Sequence, residues 1–217
     1  MNFELNKKLE EYIEKHSSKE DELLKKINRE THAKLIHPRM VSGHIQGKML
    51  EMFSYMINPE NILEIGTYTG YSAVCLAKGL KPNGKLITIE INDELEDFTR
   101  NFLTQSENSK KIDFLIGDAL DIIPKLNEQF DLVFIDGEKS SYIEYFEVIF
   151  PKLKNGGFVL ADNTLWSGKV VEEKIRNNDY FTKGILKFNE YIVNRKDVEV
   201  VILPFRDGLS VIRKADY

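Results

Sequence analysis

Apolar residues recur along this chain in two rhythms, and the change falls near residue 61. Before it the spacing is helical. Leu5, Leu9, Tyr12 and Ile13 share one stripe, and Leu23, Leu24 and Ile27 another, so charged amphipathic helices are predicted within residues 1–33. A proline- and glycine-bearing loop, "LIHPRMVSG" (35–43), follows, and "HIQGKMLEMFSYMI" (44–57) predicts a further helix. From residue 61, short apolar runs alternate with helical stretches. The runs are 61–66, 85–90, 112–117, 130–136 and 157–162; the helix candidates lie near 70–80, 93–107, 118–126 and 140–153. Continuously apolar strands separated by helices predict a parallel sheet covered on both faces. "KPNGK" (81–85) and "LKNGG" (153–157) read as turns. The stretch "VEVVILPFRDGLSVIRK" (198–214) predicts a terminal antiparallel hairpin. The expected architecture is one α/β domain over 1–217, with a helical extension (1–57) and an α/β core (58–217).

Composition narrows the classes. A length of 217 residues suits one domain, and 42% hydrophobic content argues against disorder. A formal charge of −5 argues against a surface built for nucleic acid. The single cysteine, Cys75, excludes an intrachain disulfide, fits a reducing cytoplasm, and reads as core. The first residues are acid-rich and lack an apolar signal segment, and no apolar run approaches the roughly 18 residues of a membrane span. The four histidines, His16, His32, His37 and His44, show no metal-ligand spacing.

The chemistry gathers at strand ends. "LEIGTYTGYS" (63–72) ends a strand and opens a helix; Gly66 and Gly70 suit a tight turn that lets backbone approach a ligand. Glu64 precedes that turn, and Glu90 ends the next strand, where an acid commonly binds ribose hydroxyls. An acid beside the turn repels pyrophosphate but suits a cationic amino-acid group, so charge matching favours S-adenosylmethionine over NAD. A plain strand-to-helix turn is the alternative reading.

Farther on, "VFIDGEKSSY" (133–142) and "VLADNTLW" (159–166) place Asp136, Asp162 and Asn163 at strand C-termini. On neighbouring strands they would offer oxygen donors suited to Mg2+, Mn2+ or Ca2+. Helix capping is the competing reading for each. Lys139, three residues after Asp136, is a candidate general base, its pKa lowered by a nearby cation. Trp166 suits either an aromatic-substrate wall or packing.

Taken in order, "LEIGTYTGYSA", "IDGEKSSY" and "ADNTLWSGKV" resemble the cation-dependent O-methyltransferases, the caffeoyl-CoA and catechol group of class I methyltransferases. "PRMVSGHIQGKML" (38–50) and "LPFRDGLSVIRK" (203–214) extend the likeness over about residues 30–217. The resemblance implies a Rossmann-like, seven-stranded, mostly parallel sheet with the last strand antiparallel. It also implies S-adenosylmethionine, a divalent cation and a homodimer. By motif, Asp136, Asp162 and Asn163 are the implied metal ligands, and Lys139, with Asp136, the catalytic pair. The implied cofactor contacts are Met40, Ser42, Glu64, Gly66, Tyr68, Ser72, Glu90, Asp118, Ala119 and Asp136. Two departures stand out: Glu90 replaces the Asp frequent in plant members, and "DGEK" replaces their "DADK".

The expected reaction is methyl transfer to one of two adjacent hydroxyls on a small aromatic acceptor. The alternatives are a hydroxylated tRNA nucleoside as acceptor, a non-catalytic cofactor-binding protein, and an NAD-dependent dehydrogenase. A basic cluster near the metal would favour RNA; Lys152, Lys154, Lys169, Lys174 and Arg176 are available but interspersed with acids.

Overall fold

A computed structural model describes residues 7–215, so Leu5 of the first stripe lies outside it. The apolar runs become a seven-stranded sheet: β1 (Asn61–Ile65), β2 (Lys85–Glu90), β3 (Ile112–Ile116), β4 (Phe130–Ile135), β5 (Leu153–Asp162), β6 (Val198–Leu203) and β7 (Leu209–Lys214). Their order is β3-β2-β1-β4-β5-β7-β6. Only β7 runs against the others, pairing antiparallel with both β5 and β6.

The strands are apolar on both faces because both faces are covered. Ile62, Leu86, Leu132, Phe134 and Leu160 pack beneath α2 (Glu22–Lys34), α3 (Gly43–Ile57), α4 (Tyr71–Ala77) and α5 (Glu96–Leu103). Leu63, Ile87, Val133, Ile135 and Val159 face α6 (Ala119–Ile122), α7 (Tyr142–Ile149) and α8 (Tyr180–Val193). Chain order reverses between β1 and β4, so the crevice at their C-terminal ends is where such a sheet binds ligands.

Several elements depart from the pattern-based expectation. α1 (Lys7–Lys15) carries its stripe outward: Leu9 and Tyr12 are exposed, and Tyr12 stacks on His16 at 3.9 Å. The second stripe is core, with Leu24 and Ile27 buried. Asp21 fixes α2 twice, capping Leu24 N–H at 2.8 Å and accepting at 2.6 Å from Nζ of Lys78, the residue that follows α4. The expected 93–107 helix shortens to α5 behind a 3-10 turn, and α6 stops at Ile122 before Pro124. "LKNGG" is not a turn between elements. It lies inside β5, where Gly156 takes φ +73° and the pairing with β4 shifts register. α8 was not read from the sequence at all. Its buried residues Thr182, Ile185, Phe188 and Ile192 keep helical spacing, but Gly184 interrupts the run and Tyr180 and Phe181 add apolar positions on the exposed side.

Candidate active site

Two polar groups form at the crevice. The first hangs on β1 and β2. Glu64 is fully buried, and its Oε2 accepts from Thr88 Oγ1 at 2.5 Å, while Oε1 has no partner. Burial lifts its carboxyl to about 8, against opposition from Ser72 and Thr88, with Asp136 and Glu90 adding to the rise. Glu90 is buried at the end of β2 and receives two backbone N–H groups, Tyr68 at 2.7 Å and Asn92 at 3.0 Å. Tyr68 takes φ +49° to make that contact, and its hydroxyl reaches back to the His37 carbonyl at 3.0 Å. That bond ties the turn to the segment bearing Met40, which is exposed in a short 3-10 turn, and Ser42, which is buried.

Gly66 allows the sheet to close here. It has φ +95°, and a Cβ on it would lie 2.4 Å from the Asp136 carbonyl oxygen. That approach is possible only for glycine, and it brings the end of β1 against the end of β4. Asp118, an implied cofactor contact, caps α6 through Leu120 N–H at 2.8 Å, and Ala119 beside it is buried.

The second group belongs to β4 and β5. Their register pairs Ile135 with Ala161, so the next residues, Asp136 and Asp162, emerge side by side. Lys139 Nζ donates to Asp136 Oδ1 at 2.7 Å and to the Tyr142 hydroxyl at 2.8 Å. The Tyr142 hydroxyl in turn donates to the Asp162 main-chain carbonyl at 3.0 Å. Burial pushes the Lys139 ammonium down, but Asp136 and Tyr142 outweigh it and hold the lysine above its ordinary value. This is opposite to the lowering expected of a cation-loaded site, and the reason is the ion pair with Asp136 together with the hydrogen bond to Tyr142. Burial, reinforced by Asp136, raises the Asp162 carboxyl to about 6. Asp162 Oδ1 accepts from Asn163 N–H at 2.8 Å and Oδ2 from Gln46 at 2.6 Å. Asn163 takes φ +58°, a conformation asparagine tolerates better than most residues. Trp166, at φ +45°, packs edge-on against Phe181 with centroids 6.0 Å apart.

Among the described residues no trio of His, Cys, Asp and Glu converges on a metal position. The candidate donors are two carboxylates and one amide. Their chemistry fits a hard divalent cation: two carboxylates and an amide oxygen are hard donors, and Asp162, raised by burial and by Asp136, has only neutral hydrogen-bond donors on its own oxygens. Glu64, with an orphaned buried oxygen, likewise fits an ammonium group. Gln46 and Tyr142 were missed in the sequence. Gln46 leaves a trace, standing in line with Leu50 and Ser54 on the buried side of α3. Tyr142 has none, because it opens the apolar stripe of α7 like any core residue. Cys75 is buried, and three of the histidines bond main-chain carbonyls: His16 to Tyr12, His32 to Asn28 and His44 to Ser18.

The O-methyltransferase family model matches residues 14–215. The chain belongs to this family. It is a class I S-adenosylmethionine-dependent O-methyltransferase. It is 32% identical to caffeoyl-CoA O-methyltransferase 5 of Nicotiana tabacum, covering 90% of this chain and 85% of that protein. Identity to caffeoyl-CoA O-methyltransferase 1 of Arabidopsis thaliana is 30%, over 90% and 79%. In structure it is similar to the O-methyltransferase TomG of Streptomyces achromogenes in complex with SAM, with a TM-score of 0.89, 29% identity and 96% of each chain covered. An O-methyltransferase from Bacillus cereus in complex with SAH gives a TM-score of 0.89 at 27% identity, over 95% and 97%.

Two expectations for the methyltransferase follow from this geometry. Glu64 has an ordinary value of 4.5 and a folded value of about 8. Between these the folded state holds more protons than the unfolded chain, so Glu64 lowers stability as pH rises through that window. Thermal scans from pH 5 to 8 on the ligand-free protein should show this slope, and Glu64→Gln should flatten it. The second concerns Gly184 of α8. Alanine ordinarily favours a helix over glycine by about 1 kcal/mol. Here its Cβ would sit 2.5 Å from the Lys139 carbonyl oxygen and 2.7 Å from Ser140 Cα. Overpacking costs about 1–3 kcal/mol and wins. Gly184→Ala should lower both Tm and kcat, checked by calorimetry and steady-state kinetics.

Proposed function

We propose that this methyltransferase is cation-dependent and acts on one of two adjacent hydroxyls of a small catechol-like or phenylpropanoid acceptor. The observation that carries the reading is the pair of acids at neighbouring strand ends, half-buried Asp136 and buried Asp162, with Lys139 hydrogen-bonded between Asp136 and Tyr142. Asp136, Asp162 and Asn163 would hold Mg2+, Mn2+ or Ca2+. Such a cation lowers the pKa of a hydroxyl it binds and fixes its orientation.

The chain's own residues do the rest. Glu64 takes the ammonium of S-adenosylmethionine at its unpartnered oxygen. Gly66, Tyr68 and Ser72 form the turn around the methionine end, Glu90 receives the ribose, and Asp118 and Ala119 lie toward the base. Met40 and Ser42 cover the cofactor as part of the 1–57 extension. Lys139 would remove the acceptor proton as the free amine, the form that its burial favours and its ion pair with Asp136 opposes. The acceptor oxygen would then attack the sulfonium methyl carbon in one in-line step, the O–CH3 bond forming as the S–CH3 bond breaks and S-adenosylhomocysteine leaves. Trp166 and Phe181 supply an aromatic wall beside the site.

Three of the five basic residues that would favour RNA are engaged elsewhere, while Lys174 and Arg176 are exposed. Lys154 pairs with Asp131 at the opposite end of β4, Lys152 bonds the Leu126 carbonyl, and Lys169 pairs with Asp179. For assembly, the reading is a homodimer. A groove lined by Phe53, Met56, Phe158 and Val211 adjoins exposed Met52 and Tyr55 and the edge strand β6 with exposed Val201 and Ile202. No helix of the described residues is long and apolar enough to cross a membrane. The test is a panel of catechol, caffeate and caffeoyl-CoA beside analogues with one isolated hydroxyl, using labelled cofactor with and without RNase. Turnover confined to adjacent-hydroxyl acceptors supports the reading; equal turnover of isolated hydroxyls, or label in RNA only, overturns it.

A further inference from the structure

We propose that Gln46 is a positioning residue for the metal site and that Arg206 sets its orientation. The inference rests on the cation-dependent reading above. Gln46 lies in the first turn of α3 and is buried. Its Nε2 donates to Asp162 Oδ2 at 2.6 Å, and its Oε1 accepts from Arg206 Nη1. Arg206 also donates to the Ser42 carbonyl.

An amide can face either way, but this one has no choice. Arginine carries donors and no acceptor, so the oxygen of Gln46 must face Arg206. The NH2 group is thereby turned to Asp162. Asp162 is then held from both sides, Oδ2 by Gln46 and Oδ1 by Asn163 N–H at 2.8 Å. Without Arg206 the amide is free to rotate and set its oxygen against a carboxylate, which repels.

The turn that carries Arg206 is itself anchored to the segment bearing Asn163. Arg206 sits at φ +48° between β6 and β7. Thr164 N–H donates to the Gly208 carbonyl at 3.1 Å, and Leu165 N–H to the Asp207 carbonyl at 2.8 Å. So one turn fixes the cofactor-covering segment at Ser42, the amide of Gln46, and the stretch after Asn163. Groups that orient metal ligands in this way commonly govern affinity by 10- to 100-fold.

The experiment is a Mn2+ titration of the S-adenosylhomocysteine-loaded protein, followed by electron paramagnetic resonance and calorimetry. Gln46→Met and Arg206→Met should each weaken Mn2+ about 10-fold or more. The double variant should be no weaker than the worse single one, because both break one relay. Arg206→Lys should recover part of the affinity, since an ammonium still donates to Oε1. S-adenosylhomocysteine affinity of metal-free Gln46→Met should match the parent, which reports an intact fold. Mn2+ affinities of both single variants within about twofold of the parent, or strictly additive losses in the double variant, would overturn the proposal. A parent that binds no Mn2+ would overturn the cation-dependent reading and this proposal with it; a parent that binds while the variants match it overturns this proposal alone.

Discussion

Asp162→Ala lowers kcat/KM for methyl transfer by at least about 1,000-fold, at the upper end of what loss of one preorganised electrostatic group costs. The expectation comes from what the residue has around it. Asp162 is buried at the end of β5, beside Asp136, and both of its oxygens are already oriented by protein donors. Alanine removes one of the two carboxylates proposed to hold the cation and strands the Gln46 amide. The cofactor contacts proposed above do not include Asp162, so S-adenosylhomocysteine binding should stay near the parent value. Stability moves little, because two effects oppose. Removing Asp162 relieves its repulsion with Asp136, while an unpaired buried Gln46 donor costs about 1–3 kcal/mol. Asp162→Asn separates charge from shape: it keeps an oxygen for Gln46 yet loses the negative charge, and its activity should be nearly as low. Turnover by Asp162→Ala close to the parent would remove the residue from the site.

Lys139→Met lowers kcat by about 100- to 10,000-fold, the range for losing a positioned general base. Lys139 is held by Asp136 at 2.7 Å and Tyr142 at 2.8 Å, and Gly184 of α8 backs its main chain. Methionine fills a similar volume without donor or base. Cation and cofactor affinities should therefore hold while kcat falls, which separates a chemical role from a structural one. Lys139→Arg should not rescue, because a guanidinium keeps its proton. Single-turnover kinetics with saturating cofactor give the measurement. A kcat for Lys139→Met within threefold of the parent would contradict the role.

The site's frame was legible because parallel, doubly covered strands are uniformly apolar, so a polar residue at their ends stands out. Glu64, Glu90, Asp136 and Asp162 were visible in this way, and strand order then explains why Asp136 and Asp162 meet. The bulge in β5 was not legible, since Asn155-Gly156-Gly157 carries the same local signal whether the chain turns or only kinks. Arg206, Gln46 and Tyr142 were also hidden. Gln46 and Arg206 work through a contact between segments 160 residues apart, which no local periodicity records. Tyr142 has its hydroxyl in the site and its ring in the core, where it stacks edge-on with Phe188 at 5.3 Å. Burial patterns report only the ring.

The most direct test of the central claim is metal removal. Methyl transfer to catechol is measured on protein stripped of metal by chelation and dialysis, then again after Mg2+ or Mn2+ is restored, with S-adenosylhomocysteine binding followed in parallel. The account predicts that activity falls to a few per cent or less, returns with the cation, and that cofactor binding survives throughout. Full activity in the stripped protein would contradict it.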